Sequence, residues 1–376
     1  MRRWEWAKKN ESGRIFAVGI RNPAAVGPDS SGRPVYWLRQ RSRAQKAASA
    51  LCPDIRKENF VRIMNGNVLH LNYIQAVLLG LLQGLTEFLP VSSTAHMAVA
   101  SRLLFKQDVG AAFSAVVQLG PIVAIIAYFR ADLIRYVQGI FRTKSPAHIA
   151  PDDLDARLGW FTLLGTIPLA IFGVLLESKI DTTFRKPSVM GISLILLALA
   201  LAVAERVGRQ RRTLEQMNFR ESQVIGWAQV LALIPGTSRS GVTITAGLFQ
   251  GLDRESAARF SFLLSIPAIT AAGLYKLFKV LKGSGLGPDV GPYLVGAVVA
   301  GLFAYVVVRW FLGYMKEHNT SIFIVYRIVL GIALLGLVAA HKISDDAPKK
   351  EAPKSVTAAA AQARPLGPPA GTAFLH

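Results

Sequence analysis

Residues 83–96 read Gln-Gly-Leu-Thr-Glu-Phe-Leu-Pro-Val-Ser-Ser-Thr-Ala-His, and residues 235–241 read Pro-Gly-Thr-Ser-Arg-Ser-Gly. A carboxylate, an imidazole, a guanidinium and several hydroxyls thus stand in two short runs, each set in an apolar stretch. Ionisable groups at such depth are costly and mark function. These types together suit phosphate chemistry in a bilayer. A phosphate ester or anhydride needs charge neutralisation, a placed nucleophile and a proton donor for the leaving oxygen.

Arg239 offers a planar fork of donors for phosphate oxygens. Around it, Gly236, Thr237, Ser238, Ser240 and Gly241 let the backbone approach and add N–H and hydroxyl donors, as in an anion nest. Ser93 and His96 are three residues apart, so a helix starting near Ser92 puts both on one face and permits a Ser–His pair. Glu87 is suited to hold Mg²⁺ or Ca²⁺ against substrate phosphates, or to act as a general base. Gln83 lies one helical turn before it, and Ser92 and Thr94 add hydroxyls to the expected substrate site. Plainer roles compete. Arg239 could cap helix carbonyls or pair structurally with Glu87, His96 could be a packed ring, and Gln83 could make a structural hydrogen bond. His70, His148 and His318 fall at segment ends or in loops. Arg309, Lys276 and Arg327 are assigned to snorkelling or pairing near an interface.

The elements that position these groups follow from hydropathy. The 376 residues are 52% hydrophobic, with mean hydropathy +0.36. Apolar runs at Val109–Phe129, Leu158–Leu176, Ser188–Ala204, Phe260–Leu281, Tyr293–Leu312 and Ile322–Ala340 reach the roughly 20 residues a spanning helix needs. The chain is therefore an all-α polytopic membrane protein; the weak alternating segments of a β-barrel are missing. Its net charge of +20 gathers in the N-terminal stretch and in loops, notably Arg206, Arg209, Arg211 and Arg212. Membrane topology explains those positions better than a nucleic-acid partner does. A single cysteine, Cys52, leaves no intramolecular disulfide or thiolate metal site.

An internal repeat organises the rest. Leu89-Pro-Val-Ser-Ser-Thr aligns with Ile234-Pro-Gly-Thr-Ser-Arg at an offset of 145 residues. A glutamine precedes each, Gln83 or Gln229, and a further proline follows, Pro121 or Pro267. Residues 68–205 and 224–341 thus read as two copies, each with three spanning helices and a re-entrant broken helix pair, joined by a basic linker 206–223. An odd number of spans inverts one copy relative to the other, and broken helices of inverted repeats meet near the midplane. Irregular backbone there must be buried or line a wet cavity, so the two breaks are expected to converge on one polar pocket. The positive-inside rule puts 206–220 in the cytoplasm and the termini outside. Residues 1–67 read as a basic, disordered extension, or up to residue 63 as a start assigned too far upstream, and 342–376 as a disordered tail.

In this order, the two motifs resemble those of the undecaprenyl-diphosphatase family, the bacitracin-resistance proteins, over roughly residues 68–341. Gln83, Glu87, Leu89 through Thr94 and His96 match its first signature, and Pro235 through Gly241 its second. The resemblance implies an inner-membrane hydrolase that converts undecaprenyl diphosphate to undecaprenyl phosphate for peptidoglycan synthesis and confers bacitracin resistance. It also implies an inverted-repeat fold, dependence on Mg²⁺ or Ca²⁺, and a site opening to the periplasmic face. Glu87 falls on the essential second acid, Ser93 on the proposed nucleophile, His96 on the catalytic histidine and Arg239 on the phosphate-binding arginine. Gln83 replaces a glutamate of many members, removing one metal-binding charge. The implied partners are a polyprenyl diphosphate lipid and the bilayer, with no nucleic acid; a homodimer is compatible with them. The rival of another class is a lipid-phosphate transporter. A type-2 phosphatidic-acid phosphatase is disfavoured, because its Lys-x6-Arg-Pro box has no counterpart here.

Overall fold

The computed structural model describes residues 71–345, apart from 106–109, 151, 182, 283–285 and 287–289. The expectations for residues 1–67 and 346–376 lie outside the described residues. Twelve helices carry the argument: α1 (Tyr73–Thr86), α2 (Ser93–Phe105), α3 (Gly110–Val117), α4 (Leu119–Tyr128), α5 (Arg130–Thr143), α6 (Leu154–Leu175), α7 (Pro187–Val207), α8 (Phe219–Ala228), α9 (Arg239–Phe249), α10 (Arg254–Lys282), α11 (Val290–Glu317) and α12 (Ser321–Ala339). No β-strand occurs among the described residues. Helices α6, α7, α10, α11 and α12 are long and apolar enough to cross a bilayer. The α3–α4 segment joins them as a sixth when taken with α5, from which it bends by 77°.

All six apolar runs appear as helix, and several helices extend beyond them. Helix α10 starts at Arg254 rather than Phe260 because its polar first turns are tied down. Arg254 Nε donates to Glu205 at 2.6 Å, and Arg259 pairs with Asp132 at 2.6 Å. Helix α5 is the element hydropathy does not reveal, being polar overall. It buries Tyr136 and Gly139 and exposes Ile134, Val137 and Phe141, an amphipathic pattern. Ile343 and Asp345, expected in the tail, are packed instead. Ile343 is buried with Met190 and Leu334, and Asp345 accepts from the backbone N and the hydroxyl of Ser188 at 2.8 and 2.7 Å.

Polar contacts sort the helix ends into two sets. At one, Glu205 at the end of α7 accepts from Arg254 and from the Thr320 hydroxyl (2.7 Å). Lys316 pairs there with Glu255, Arg157 donates to the Met217 carbonyl, and Arg212 bonds Glu221. At the other lie the starts of α7 and α11. Helix α1 begins there, with Tyr73 against Gly291, and α2 returns there, with Ala98, Val99 and Arg102 beside Pro187 and Ile343. Helices α8 and α9 enter and leave at the opposite, Glu205 end, where the Arg211 and Arg212 amides both donate to the Gly251 carbonyl. The α1–α2 and α8–α9 hairpins thus each start and finish among the contacts of one set.

Both hairpins open on a capping box, Asn72 with Gln75 and Asn218 with Glu221, which satisfies orphan N–H groups at a helix start. They also pack alike. A Cβ on Gly80 of α1 would lie 2.3 Å from the Gly296 carbonyl of α11, and one on Gly226 of α8 would lie 2.4 Å from the Gly165 carbonyl of α6. Such approach requires glycine at Gly80 and Gly226, whereas a Cβ on Gly296 or Gly165 would meet nothing nearer than 3.0 Å. Gly80→Val is therefore expected to lower the melting temperature and the folded yield, since overpacking typically costs about 1–3 kcal/mol. Gly313, with nothing within 4 Å, should tolerate the same change; equal effects at the two sites would contradict this packing.

Candidate active site

Each hairpin turns at a residue forced into left-handed backbone, Ser92 at φ 71° and Ser238 at φ 68°. Conformations so rarely adopted by non-glycine residues persist where surrounding structure fixes them, often at functional sites. After each turn a helix begins at once, α2 on Ser93 and α9 on Arg239. Their N-termini, with unsatisfied N–H groups and positive dipole ends, suit an anion. Asn72 and Asn218, Gln83 and Gln229, Ser92 and Ser238, and Pro121 and Pro267 all lie 146 positions apart. Pro90 and Pro235, used to set the offset at 145, are thus one position out of step.

The first residue of each of these helices bonds the same carboxylate. Ser93 Oγ donates to Glu87 Oε2 at 2.7 Å, and Arg239 Nη2 meets Glu87 Oε1 at 3.3 Å. Gln83 Nε2 completes the set with a 2.8 Å bond to Oε2. The pair is well buried, with the Arg239 side chain 13% exposed and that of Glu87 7%. Arg239 is nonetheless under-used, because its buried Nε has no partner among the described residues. A buried donor left unpaired is expensive, and here it belongs to a group shaped for phosphate.

The expected Ser–His pair does not form: Ser93 gives its proton to Glu87. His96 Nδ1 lies 2.8 Å from the Ser92 carbonyl, and its Nε2 2.6 Å from the Tyr326 hydroxyl. Sharing a helix face did not bring the two side chains together, because Glu87 reaches Ser93 from the turn before α2.

The second run is divided in its roles. Ser240 Oγ donates to the Leu89 carbonyl at 2.9 Å and stitches one hairpin to the other. Ser238 caps α9 by accepting from the Gly241 amide. The Thr237 hydroxyl turns back on the Ile234 and Leu231 carbonyls. Gly236, at φ 99°, abuts Met190, whose carbonyl would lie 2.5 Å from a Cβ there. Gly241 serves a neighbour, since its Cβ would fall 2.4 Å from Arg327 Nη1. Thr94 is exposed and adds no hydrogen bond to the cluster.

Arg327 corrects the sequence reading most sharply. Assigned to an interface, it is fully buried, at 0% exposure. Its Nη1 donates to the Pro90 carbonyl at 3.1 Å, its Nη2 to Thr237 at 2.8 Å and more weakly to Gly236, and its Nε to Leu194 at 3.3 Å. One guanidinium thus ties both breaks to α7. The signal was present, an ionisable group mid-way along an apolar span, and it is the same signal that picked out Glu87.

No group of three or more His, Cys, Asp or Glu occurs among the described residues. The donor set still fits Mg²⁺ or Ca²⁺ in one manner. Glu87 supplies a carboxylate, Gln83 and Ser93 neutral oxygens, and a diphosphate the rest, as Mg²⁺ sites often combine one or two carboxylates with substrate phosphates.

Residues 76–333 match the family model described as bacitracin resistance protein BacA. The chain is 44% identical over 280 residues to the undecaprenyl-diphosphatase of Paenarthrobacter aurescens (strain TC1), covering 73% of this chain and 100% of that one. It is 45% identical over 272 residues to that of Mycobacterium sp. (strain KMS), covering 72% and 98%, and 46% identical over 277 residues to that of Pelodictyon phaeoclathratiforme, covering 70% and 96%. A match of this length, running through both hairpins, places the chain in the bacitracin resistance protein BacA family.

Proposed function

We propose that this chain is an undecaprenyl-diphosphate phosphatase, releasing the terminal phosphate and leaving undecaprenyl phosphate, the lipid carrier for peptidoglycan precursors. The observation that carries the reading is the meeting of Ser93, Glu87 and an under-used Arg239 at two converging helix N-termini. Relatives bearing that activity in their names cover nearly their whole length with this chain.

The mechanism follows from which groups are engaged. Arg239 takes the terminal phosphate on its spare donors, aided by the α2 and α9 N-termini. Ser93 attacks the terminal phosphorus as its proton passes along the existing bond to Glu87. The bridging P–O bond breaks and its electron pair leaves on the lipid monophosphate. Glu87 would hold Mg²⁺ or Ca²⁺, and the cation would supply further charge neutralisation. Water then frees phosphate from Ser93, whose oxygen recovers the proton from Glu87. Gln83 keeps the Glu87 carboxylate oriented throughout.

Two inverted copies are the architecture we infer. Support comes from hairpins entering at opposite ends, matched capping boxes, and the exchanged glycine contacts of α1 with α11 and α8 with α6. The basic Glu205 end would face the cytoplasm under the positive-inside rule, so the α1–α2 hairpin and Glu87 open towards the outer face of the inner membrane. Inverted, broken helices are also transporter features, and the assay separates the readings.

Purified protein in detergent is expected to release inorganic phosphate from undecaprenyl diphosphate without any gradient. EDTA should reduce the rate by about 100-fold or more, an effect of the size seen when one electrostatic element is lost, and Mg²⁺ or Ca²⁺ should restore it. Folded protein that binds the lipid but releases no phosphate would support transport instead.

A further inference from the structure

The diphosphatase reading leaves His96 without a route to its substrate. The Ser92 carbonyl can only accept, so His96 Nδ1 carries the ring proton and donates it at 2.8 Å. In the neutral ring Nε2 is then an acceptor alone, and the Tyr326 hydroxyl fills it at 2.6 Å. A ring in that state can take a proton and has none to give at Nε2. It is also buried, His96 being 9% exposed against 45% for Tyr326. The two rings lie nearly parallel, 2° apart in plane with centroids 5.6 Å apart. Tyr326 belongs to α12, where it borders an apolar cleft with Ile322, Val325 and Val329. Its other neighbour in sequence is Arg327, the clamp on both breaks. The hydroxyl is therefore the group that meets His96 Nε2, on a helix that Arg327 fixes to both hairpins.

We infer that Tyr326 is a catalytic proton relay, through which His96 acts as the base for the water that frees phosphate from Ser93. As the water oxygen bonds to phosphorus, its proton moves to the Tyr326 oxygen and the Tyr326 proton moves to His96 Nε2. The Ser93 O–P bond breaks, its electron pair stays on Ser93 Oγ, and that oxygen takes the proton held by Glu87. The resulting imidazolium keeps its Nδ1–H on the Ser92 carbonyl. It returns its extra proton by the same path to the departing phosphate, which restores the resting state.

Tyr326→Phe keeps the ring and deletes only the relay. The expected result is a fall in kcat of at least about tenfold with KM within about twofold, since a general base contributes about 10²–10⁴-fold. Phosphorylated Ser93 should accumulate during turnover, as seen by intact-protein mass measurement. In the His96→Asn background, Tyr326→Phe should add no further loss, because both changes cut one path. A purely structural tyrosine would neither build up phosphoserine nor show this non-additivity. An unchanged kcat in Tyr326→Phe, or a loss that adds fully to that of His96→Asn, overturns the relay. The inference rests on the diphosphatase reading: wild-type protein releasing no phosphate removes both, whereas active wild type with normal Tyr326→Phe removes the relay alone.

Discussion

Arg327→Met is expected to unfasten the two hairpins and to abolish turnover together with a large loss of stability. Methionine matches much of the length of the side chain and contributes no donor. The Pro90 and Thr237 carbonyls, bonded now at 3.1 and 2.8 Å, would lose their partners, as would the longer contacts to Leu194 and Gly236. Each buried acceptor left unpaired costs about 1–3 kcal/mol. Deleting the buried cation offsets part of this, because its desolvation is itself unfavourable. Two well-made bonds and two weak ones still outweigh that gain, on a total stability of about 5–15 kcal/mol. Lysine should not rescue, since an ammonium is a point donor and cannot span two loops as the guanidinium fork does. Thermal unfolding in detergent checks the claim; an unaltered melting temperature in Arg327→Met would refute the clamp.

Arg239→Ala is expected to behave in the opposite way, with activity lost and stability nearly kept. Among the described residues its guanidinium makes one hydrogen bond, the 3.3 Å contact to Glu87, and its Nε has none. Glu87 would retain Gln83 and Ser93 as donors after the change. Removing a poorly satisfied buried cation therefore costs little in folding. Its spare donors would be used on the phosphate, where charge develops during the reaction. Losing one such preorganised group lowers kcat by about 10²–10³-fold. Two buried arginines, one saturated and one not, thus separate holding the site from performing the reaction.

Part of this arrangement is legible in the amino-acid sequence. Six apolar runs reported the spans because bilayer thickness sets helix length directly. Pro90 and Pro235 marked the breaks because each removes a helix donor beside Ser/Thr or Gly neighbours that favour turns, whereas Pro168 and Pro267 are carried inside helices. Glu87 and Arg239 stood out as charges at depth. What pattern could not give was partner choice. Ser93 and His96 share a helix face, yet the direction of Ser93 is decided by Glu87 arriving from the preceding turn, a tertiary fact. Tyr326 lies 230 residues from His96, so no local spacing announces it. Helix α5 escaped because Arg130, Asp132, Arg135 and Arg142 interrupt its apolar residues, and hydropathy sees membrane-crossing segments rather than amphipathic ones. Arg327 is legible too, since a charge mid-way along an apolar span does not suit the snorkelling that the interface assignment implies.

The central claim is that hairpins from opposite ends build one diphosphatase site in which Arg239 receives the phosphate. Its most direct measurement is phosphate release from undecaprenyl diphosphate by wild type and Arg239→Ala, at equal concentrations of folded protein with matched melting curves. The account predicts robust release by the wild type and a rate lower by about 10²–10³-fold in the variant, with both proteins melting within a few degrees. A well-folded Arg239→Ala enzyme turning over near the wild-type rate would contradict it.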